Sequence, residues 1–406
     1  MNSVSIRQCA VLVGGLGSRL GELTVNTPKP LLPCGDRPFL AWLLREFVRF
    51  GVEEFLLLAG HLADAVDARV HDLSALLPRA VRIVVCREPP RAGTGGAVFH
   101  AREHLDQRFL LCNGDSLFDC NLATLLAAAS DDEPAVTGRI LLRQLDKPSR
   151  YGAVVLAGDR VSEFREHPIS GAAGVINAGV YLFNRSLIND LLPACSLEAD
   201  ILPLLTARGA LRGTVGEGYF SDIGVPDDYA RAQQEIPRVL RRRALFLDRD
   251  GVINVDHGYV GTRDRFEWTP GAHKAIRMAT DAGWHVFVVT NQSGIARGHY
   301  DEAAVAALHA WMTDEARRAG GTIDDIRFCP FHEDATLPAY RRVSDWRKPA
   351  PGMLLDLMRA WELDPGRCVM IGDQESDMAA AQAAGIDARR FQGGNLADFV
   401  FPILQT

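Results

Sequence analysis

Short apolar, β-branched runs alternate along the whole chain with stretches whose apolar residues recur at helical spacing. That alternation predicts an α/β protein with largely parallel sheets. The pattern starts twice. Cys9–Val13 is an apolar run closed by Gly14-Gly15-Leu16-Gly17, and Ala244–Leu247 is another closed by Asp248-Arg249-Asp250-Gly251. Between them, Glu235–Arg243 holds Pro237 and the basic residues Arg238, Arg241, Arg242 and Arg243. Proline after a helical stretch, followed by clustered charge, marks a domain boundary. The expected division is one domain over 1–235, a linker at 236–243 and a second domain over 244–406, each long enough for its own core.

Composition narrows the class. The chain has 406 residues, 47% hydrophobic and 23% charged, with 44 Lys+Arg against 51 Asp+Glu for a net charge of −7. These are globular values that exclude a fibrous or wholly disordered chain, and an acidic balance without a basic stripe argues against a nucleic-acid partner. Runs such as Phe55–Gly60 and Val286–Val289 are too short to cross a bilayer. The polar start Met1–Gln8 lacks the apolar core of a signal peptide. Eight scattered cysteines without a CxxC pair read as reduced thiols. A soluble, cytoplasmic enzyme with no nucleic-acid or membrane partner is the expectation.

The first half carries phosphate chemistry. Gly14, Gly15 and Gly17, with Ser18 and Arg19, follow the first strand directly; glycines there let backbone N–H groups approach a polyphosphate. The loop has neither Walker nor GxGxxG spacing. Instead Arg19, and Lys29 within Pro28-Lys29-Pro30, offer cations from two sides. Leu110–Cys112 ends in Asn113-Gly114-Asp115, placing Asp115 at a strand's carboxyl end, where open α/β sheets bind ligands. Asp222, in Ser221-Asp222-Ile223-Gly224, is a second acid. Two carboxylates plus substrate phosphates suit Mg²⁺.

These motifs, with Gly93-Thr94-Gly95-Gly96, resemble the sugar-nucleotide pyrophosphorylase family, most closely its D-glycero-D-manno-heptose 1-phosphate guanylyltransferases. The resemblance implies a Rossmann-like domain with a mixed sheet, in which a sugar 1-phosphate attacks the α-phosphorus of an NTP, GTP being favoured, and displaces pyrophosphate. It implies that Lys29 holds the α-phosphate, Arg19 the outgoing pyrophosphate, and Asp115 and Asp222 the Mg²⁺. Gly93 and Thr94 would line the base pocket, and Tyr151, Gly152, Glu163 and Asn177 would face the sugar. Where many relatives have Glu-Lys-Pro, this chain has Glu166-His167-Pro168, so a partly charged imidazole takes the place of a cation that grips the sugar phosphate. Relatives of this type often associate, which allows a homo-oligomer.

In the second half, carboxylates at i and i+2 around a strand end, Asp248 and Asp250, can share one metal and one phosphate. Thr290, Asn291 and Ser293 follow the strand Val286–Val289 and offer a hydroxyl and amide donors. Arg347-Lys348-Pro349 offers a cation, and Asp373 follows Val369–Ile371. The four ordered motifs resemble the haloacid dehalogenase-like (HAD) phosphatases, which implies a doubly wound parallel sheet. It also implies Asp248 as nucleophile, Asp250 as general acid/base, Thr290 and Lys348 steadying a phosphoaspartate, and Asp373 completing the Mg²⁺ site. Asp250–Val260, Asn291–Gly298 (with Arg297) and Cys329-Pro330-Phe331-His332 are most similar to the heptose 1,7-bisphosphate 7-phosphatases. Relatives there bind zinc through four ligands. Here Ala339–Trp346 contains no cysteine, and two candidate ligands cannot close a tetrahedral site, so no zinc is predicted and Tyr340 and Trp346 are expected to pack the loop. The two resemblances together imply a bifunctional NDP-heptose enzyme, phosphatase first and transferase second. Two alternatives stay open: a first half that binds nucleotide without transfer, and transfer to another sugar 1-phosphate or from ATP.

Overall fold

The computed structural model describes residues 6–145, 153–165 and 174–405. The chain forms two compact units, Met1–Leu240 and Arg241–Thr406. The first is built on β1 (Gln8–Leu12), β2 (Glu54–Ala59), β3 (Arg82–Arg87), β4 (Arg108–Asn113), β5 (Ser116–Asp119), β6 (Gly138–Leu145), β7 (Ala153–Ala157), β8 (Arg160–Arg165), β9 (Gly174–Asn184), β10 (Leu211–Gly216) and β11 (Tyr219–Asp222). Nine of these strands form one mixed sheet in the order β3-β2-β1-β4-β9-β6-β10-β8-β7. β3, β2, β1 and β4 run parallel, and β9 turns antiparallel to both β4 and β6. β5 and β11 form a separate two-stranded ribbon.

The parallel part explains the unbroken apolar runs, since helices cover both faces and every side chain of a central strand is buried. Leu56, Leu57 and Leu58 of β2 and Leu110 and Leu111 of β4 are all essentially inaccessible. The helix Phe39–Arg49 is buried along its whole length, Arg45, Glu46 and Arg49 included.

The second unit has a five-stranded parallel sheet in the order β14-β13-β12-β15-β16, from β12 (Ala244–Leu247), β13 (His285–Asn291), β14 (Asp325–Cys329), β15 (Cys368–Gly372) and β16 (Asp387–Arg390). Its middle is dry and close-packed, with the rings of Phe246 and Phe287 5.2 Å apart and both inaccessible, each worth about 2–3 kcal/mol in removed apolar surface. An outward order on both sides of the first strand puts β12 centrally, with its carboxyl end between those of β13 and β15.

The linker expected at 236–243 is, over 236–240, the last turn of the helix Pro226–Leu240. Ile236 and Leu240 are buried on its inner face, which overrides the breaking tendency of Pro237. No helix among the described residues is long and apolar enough to cross a membrane.

Candidate active sites

In the first unit the carboxyl ends of β1, β2 and β3 converge on Gly14, Gly60 and Glu88. A Cβ on Gly14 would lie 2.1 Å from Glu88 Oε1 and 2.8 Å from the Gly60 nitrogen, so this approach admits only glycine. The three residues wall a cavity of about 670 Å³, shared with Gly15, Gly93 and Thr94, of a size that suits a nucleoside. Glu88 Oε2 is buried without a hydrogen-bond partner, and burial pushes its carboxyl up to about 7. Gly93 sits at φ +75 with its Cβ position 2.5 Å from the Cys195 carbonyl, and the amides of Gly95 and Gly96 donate to that same carbonyl at 2.9 and 3.1 Å. The helix start therefore serves as a wall, with those two N–H groups already satisfied.

A smaller cavity of about 180 Å³ brings together Gly15, Gly17, Lys29, Asn113 and Asp115. Lys29 Nζ pairs with Asp115 Oδ2, and the Ser116 hydroxyl donates to Asp115 Oδ1 at 3.1 Å. The ribbon delivers the second acid, because Asp222 pairs across from Ser116 and the Ile223 amide donates to the Asp115 carbonyl at 3.0 Å. One ammonium and one carboxylate over a glycine floor, with a second carboxylate on the adjoining ribbon, are a donor set that fits Mg²⁺ with a polyphosphate.

The other expected residues lie further out. Ser18 and Arg19 are exposed and line neither cavity. Asn177 is occupied within β9, its Nδ2 donating to the Tyr181 hydroxyl at 2.7 Å and its Oδ1 accepting from the Gly179 amide at 3.0 Å. Glu163 is exposed on β8. Tyr151, Gly152 and His167 lie outside the described residues.

In the second unit, Asp248 follows β12 and is held by the Arg249 amide, which donates to its Oδ1 at 2.7 Å. Lys348 Nζ, itself buried, reaches Asp248 Oδ1 at 2.9 Å, Asp377 Oδ1 at 2.7 Å and the Val289 carbonyl at 2.9 Å. Carboxylate oxygens of Asp248, Asp373 and Asp377 lie within 4.8 Å of one another, and Asp373 Oδ1 is buried without a partner. Burial first, and then the Asp377 charge, push the Asp248 carboxyl above its ordinary value against the pull of Lys348. Three acids surround one lysine, which pairs with two of them, Asp248 and Asp377; that surplus of negative charge fits a divalent cation.

Asp377, to which no role was assigned from the sequence, completes the cluster. It returns one helical turn after Asp373 and receives the Gln374 amide at 3.0 Å. A Cβ on Gly372 would fall 2.2 Å from its Cβ. Gly372→Ala is therefore expected to displace Asp377 and cost phosphatase activity about tenfold or more, with a lowered melting temperature measured alongside.

Asp250 and Asn291 are held by other groups of the protein. Asp250 does not join the carboxylate cluster. Its oxygens take Arg249 Nη2 at 2.9 Å each, Asn254 Nδ2 at 3.0 Å and Gln292 Nε2 at 2.9 Å, because the adjacent guanidinium is wholly buried and must be paired. The Asn291 side chain clamps the Lys348 main chain, accepting from its amide at 3.1 Å and donating to its carbonyl at 3.0 Å. Thr290 is buried and accepts from Gln292 Nε2 at 2.9 Å, and Ser293 opens the short helix Ser293–Ala296.

Burial first, and then the nearby Arg297 charge, lower the pKa of the Arg347 guanidinium, and Arg297 Nε is buried without a hydrogen-bond partner. Two neighbouring guanidiniums are a donor set that suits an anion.

The zinc donors of the related phosphatases are not reproduced. Cys329 Sγ lies 3.9 Å from the Phe331 carbonyl, His332 Nδ1 accepts the Asp334 amide at 3.0 Å, and no third donor joins them among the described residues. The loop is closed by Tyr340, whose carbonyl accepts from the His332 amide at 3.1 Å and whose hydroxyl donates to Glu302 at 2.9 Å, and by Arg342, 3.6 Å over the Phe331 ring.

Known proteins resemble each of the two units. Residues 9–238 match the nucleotidyl transferase family and residues 345–394 the HAD-hydrolase-like family. HddC from Yersinia pseudotuberculosis, solved in complex with GMP-PN, is 28% identical with a TM-score of 0.50 over 57% of this chain and 99% of that one. The D-glycero-beta-D-manno-heptose-1,7-bisphosphate 7-phosphatase of Rhodopseudomonas palustris is 54% identical over 164 residues, 40% of this chain and 91% of that protein. The Escherichia coli protein of that name is 44% identical over 146 residues, 36% of this chain and 76% of that protein. The chain thus belongs to the nucleotidyl transferase family through its first unit and to the D-glycero-beta-D-manno-heptose-1,7-bisphosphate 7-phosphatases, HAD-type enzymes, through its second, and is a bifunctional enzyme.

Proposed function

We propose that the second unit removes the 7-phosphate of D-glycero-D-manno-heptose 1,7-bisphosphate and that the first unit transfers a nucleotidyl group from GTP to the resulting 1-phosphate. The observation that carries the reading is the buried cluster of Asp248, Lys348, Asp373 and Asp377, in a chain whose other half holds a lysine–aspartate nucleotide site. The product of the first reaction is the acceptor of the second. Arg297 and Arg347 support a substrate with a second phosphate remote from the reacting one.

In the phosphatase, an Asp248 oxygen attacks the phosphorus and the bond to the sugar oxygen breaks, with Asp250 supplying the proton to the leaving alkoxide. Asp250 then takes a proton from the water that attacks the phosphoaspartate, releasing inorganic phosphate and restoring Asp248. Lys348 and Thr290 steady the transferred group. Asp248 and Asp373, with Asp377 behind, are the residues that would hold Mg²⁺, which would supply a charge offsetting the repulsion between carboxylate and phosphate. In the transferase, a sugar-phosphate oxygen attacks the α-phosphorus and the bond to the bridging oxygen breaks, so pyrophosphate leaves. Lys29 neutralises the α-phosphate, and Asp115 and Asp222 are the residues that would hold Mg²⁺ there. A coupled assay with bisphosphate, GTP and Mg²⁺ tests the reading: phosphate, pyrophosphate and a nucleotide-sugar should all appear. Pyrophosphate release without any dependence on the phosphatase step would refute the order.

Glu88 supports guanine. Guanine presents N1–H and N2–H side by side, which one carboxylate can accept together, whereas adenine opposes a ring-nitrogen lone pair to it. The GMP-PN complex of HddC points the same way. A charged hydrogen bond of about 1.5–3 kcal/mol predicts that GTP is preferred over ITP, which lacks only the 2-amino group, by roughly 10- to 100-fold. Glu88→Gln should bring that ratio within about threefold, read as relative kcat/KM and as nucleotide affinity by calorimetry. An unchanged ratio would remove Glu88 from base selection.

A further inference from the structure

The second unit contains a buried ionic network that the reaction scheme leaves unused. The Arg249 guanidinium, between the two aspartates of the first motif, is wholly inaccessible. Its Nη2 donates to both Asp250 oxygens at 2.9 Å, to Gln292 Oε1 at 3.2 Å and to the Val260 carbonyl, and its Nε lies 3.3 Å from Asp250 Oδ1. Its remaining nitrogen, Nη1, faces His309 Nε2 at 3.2 Å. His309 comes from the middle of the helix Glu302–Arg318, is itself buried, and packs edge-on against Phe328. An arginine has only donors, so His309 must present a lone pair. Burial and the neighbouring guanidinium hold its pKa at about 3, which keeps the ring neutral and Nε2 an acceptor.

A second arm reaches the same carboxylate. Gln292 Nε2 donates to Asp250 Oδ2 and to Thr290 Oγ1, both at 2.9 Å, and its Oε1 accepts from the Tyr300 hydroxyl at 2.8 Å. With its oxygen pinned by two donors, the Gln292 amide has one orientation. The Tyr300 ring is seated where Gly261 and Gly294 leave room, a Cβ on either coming within 2.3 Å of it.

We propose that Arg249, braced by His309 on one side and by Tyr300 through Gln292 on the other, is a positioning device that fixes the direction in which the Asp250 carboxylate faces the leaving oxygen. The inference rests on the reading of Asp250 as general acid. Neither His309 nor Tyr300 touches the substrate; each acts through a neighbour. If His309 is lost, Nη1 becomes a buried charged donor without an acceptor, and the guanidinium turns to find one, taking Asp250 with it.

The test uses the full chain, its expected pattern following from what an acid does. An alkyl phosphate needs a proton on its leaving oxygen, whereas p-nitrophenyl phosphate, with a weakly basic leaving group, does not. His309→Leu is expected to lower kcat/KM on the sugar bisphosphate by about 10- to 100-fold through kcat, with KM little changed, yet on p-nitrophenyl phosphate by under about threefold. His309→Gln, which restores an acceptor, should recover most of the loss. Tyr300→Phe keeps the ring and should show the same leaving-group dependence at about three- to tenfold, so the idea remains testable if the leucine variant does not fold. Equal losses on both substrates, no loss on either, or glutamine no better than leucine would overturn it. Asp250→Asn is the reference: if that variant shows no leaving-group dependence, the reading of Asp250 as the acid has failed, and not the positioning claim alone.

Discussion

Asp248→Asn should reduce phosphate release by at least about 10⁴-fold, because an amide cannot supply the attacking oxygen and no other carboxylate occupies its position. The neighbours should stay in place. Lys348 keeps Asp377 and the Val289 carbonyl as partners, and the Arg249 amide can donate to the asparagine oxygen as it does to Asp248 Oδ1. Removing one charge from a group of three clustered acids, two of them buried and paired with the same lysine, relieves repulsion. The melting temperature is therefore expected to equal or exceed that of the unaltered protein, which separates lost chemistry from lost structure. Pyrophosphate release from GTP and supplied heptose 1-phosphate should stay within about twofold, since Lys29 and Asp115 belong to the other unit. Residual phosphate release above about one per cent would mean that another group serves as nucleophile.

Much of this was legible in the sequence because strand ends announce themselves. An apolar run that stops at glycine or aspartate marks the carboxyl edge of a parallel sheet, and Asp115, Asp248 and Asp373 all stand at such edges. Side chains whose role depends on tertiary return were harder to read. Asp377 belongs to a helix that turns back over Gly372, and the signal was the acid four residues after Asp373 together with a glycine that no side chain could replace. Arg249 was given no role from the sequence, yet it is the most deeply buried charge of the motif and pairs with Asp250. Glu88 carried no motif at all; only the convergence of β1, β2 and β3 puts it at Gly14 and Gly60. Asn291 was expected to offer an amide donor, and the contact of its side chain with the Lys348 main chain could be found only from the fold. The same competition explains the end of the first unit. Pro237 and four arginines suggested a linker, but burial of Ile236 and Leu240 extends the helix past the proline.

Lys29→Ala is the corresponding test of the first unit and should lower the rate of nucleotidyl transfer by about 10²–10³-fold. The lysine is mostly buried, its side chain 13% exposed, and it pairs with an Asp115 that is 31% exposed. Both residues line the same small cavity with Gly15 and Gly17. A compact ammonium on a flexible stem can move from Asp115 to a phosphate oxygen as charge develops on the leaving pyrophosphate, which is where an interaction accelerates the reaction instead of only tightening binding. The loss should thus fall mainly on kcat, with KM for GTP changed less. Lys29→Arg keeps the charge but replaces a point donor with a wide fork in a cavity of about 180 Å³, so it is expected to recover only part of the rate. Phosphate release from the bisphosphate should be unchanged in both variants, and pyrophosphate and phosphate can be followed in the same mixture. If Lys29→Ala instead raised KM tenfold at constant kcat, the ammonium would be a ground-state anchor for the nucleotide, and stabilisation of the departing charge would have to come from elsewhere in the glycine loop, where the exposed Arg19 is the nearest cation in sequence.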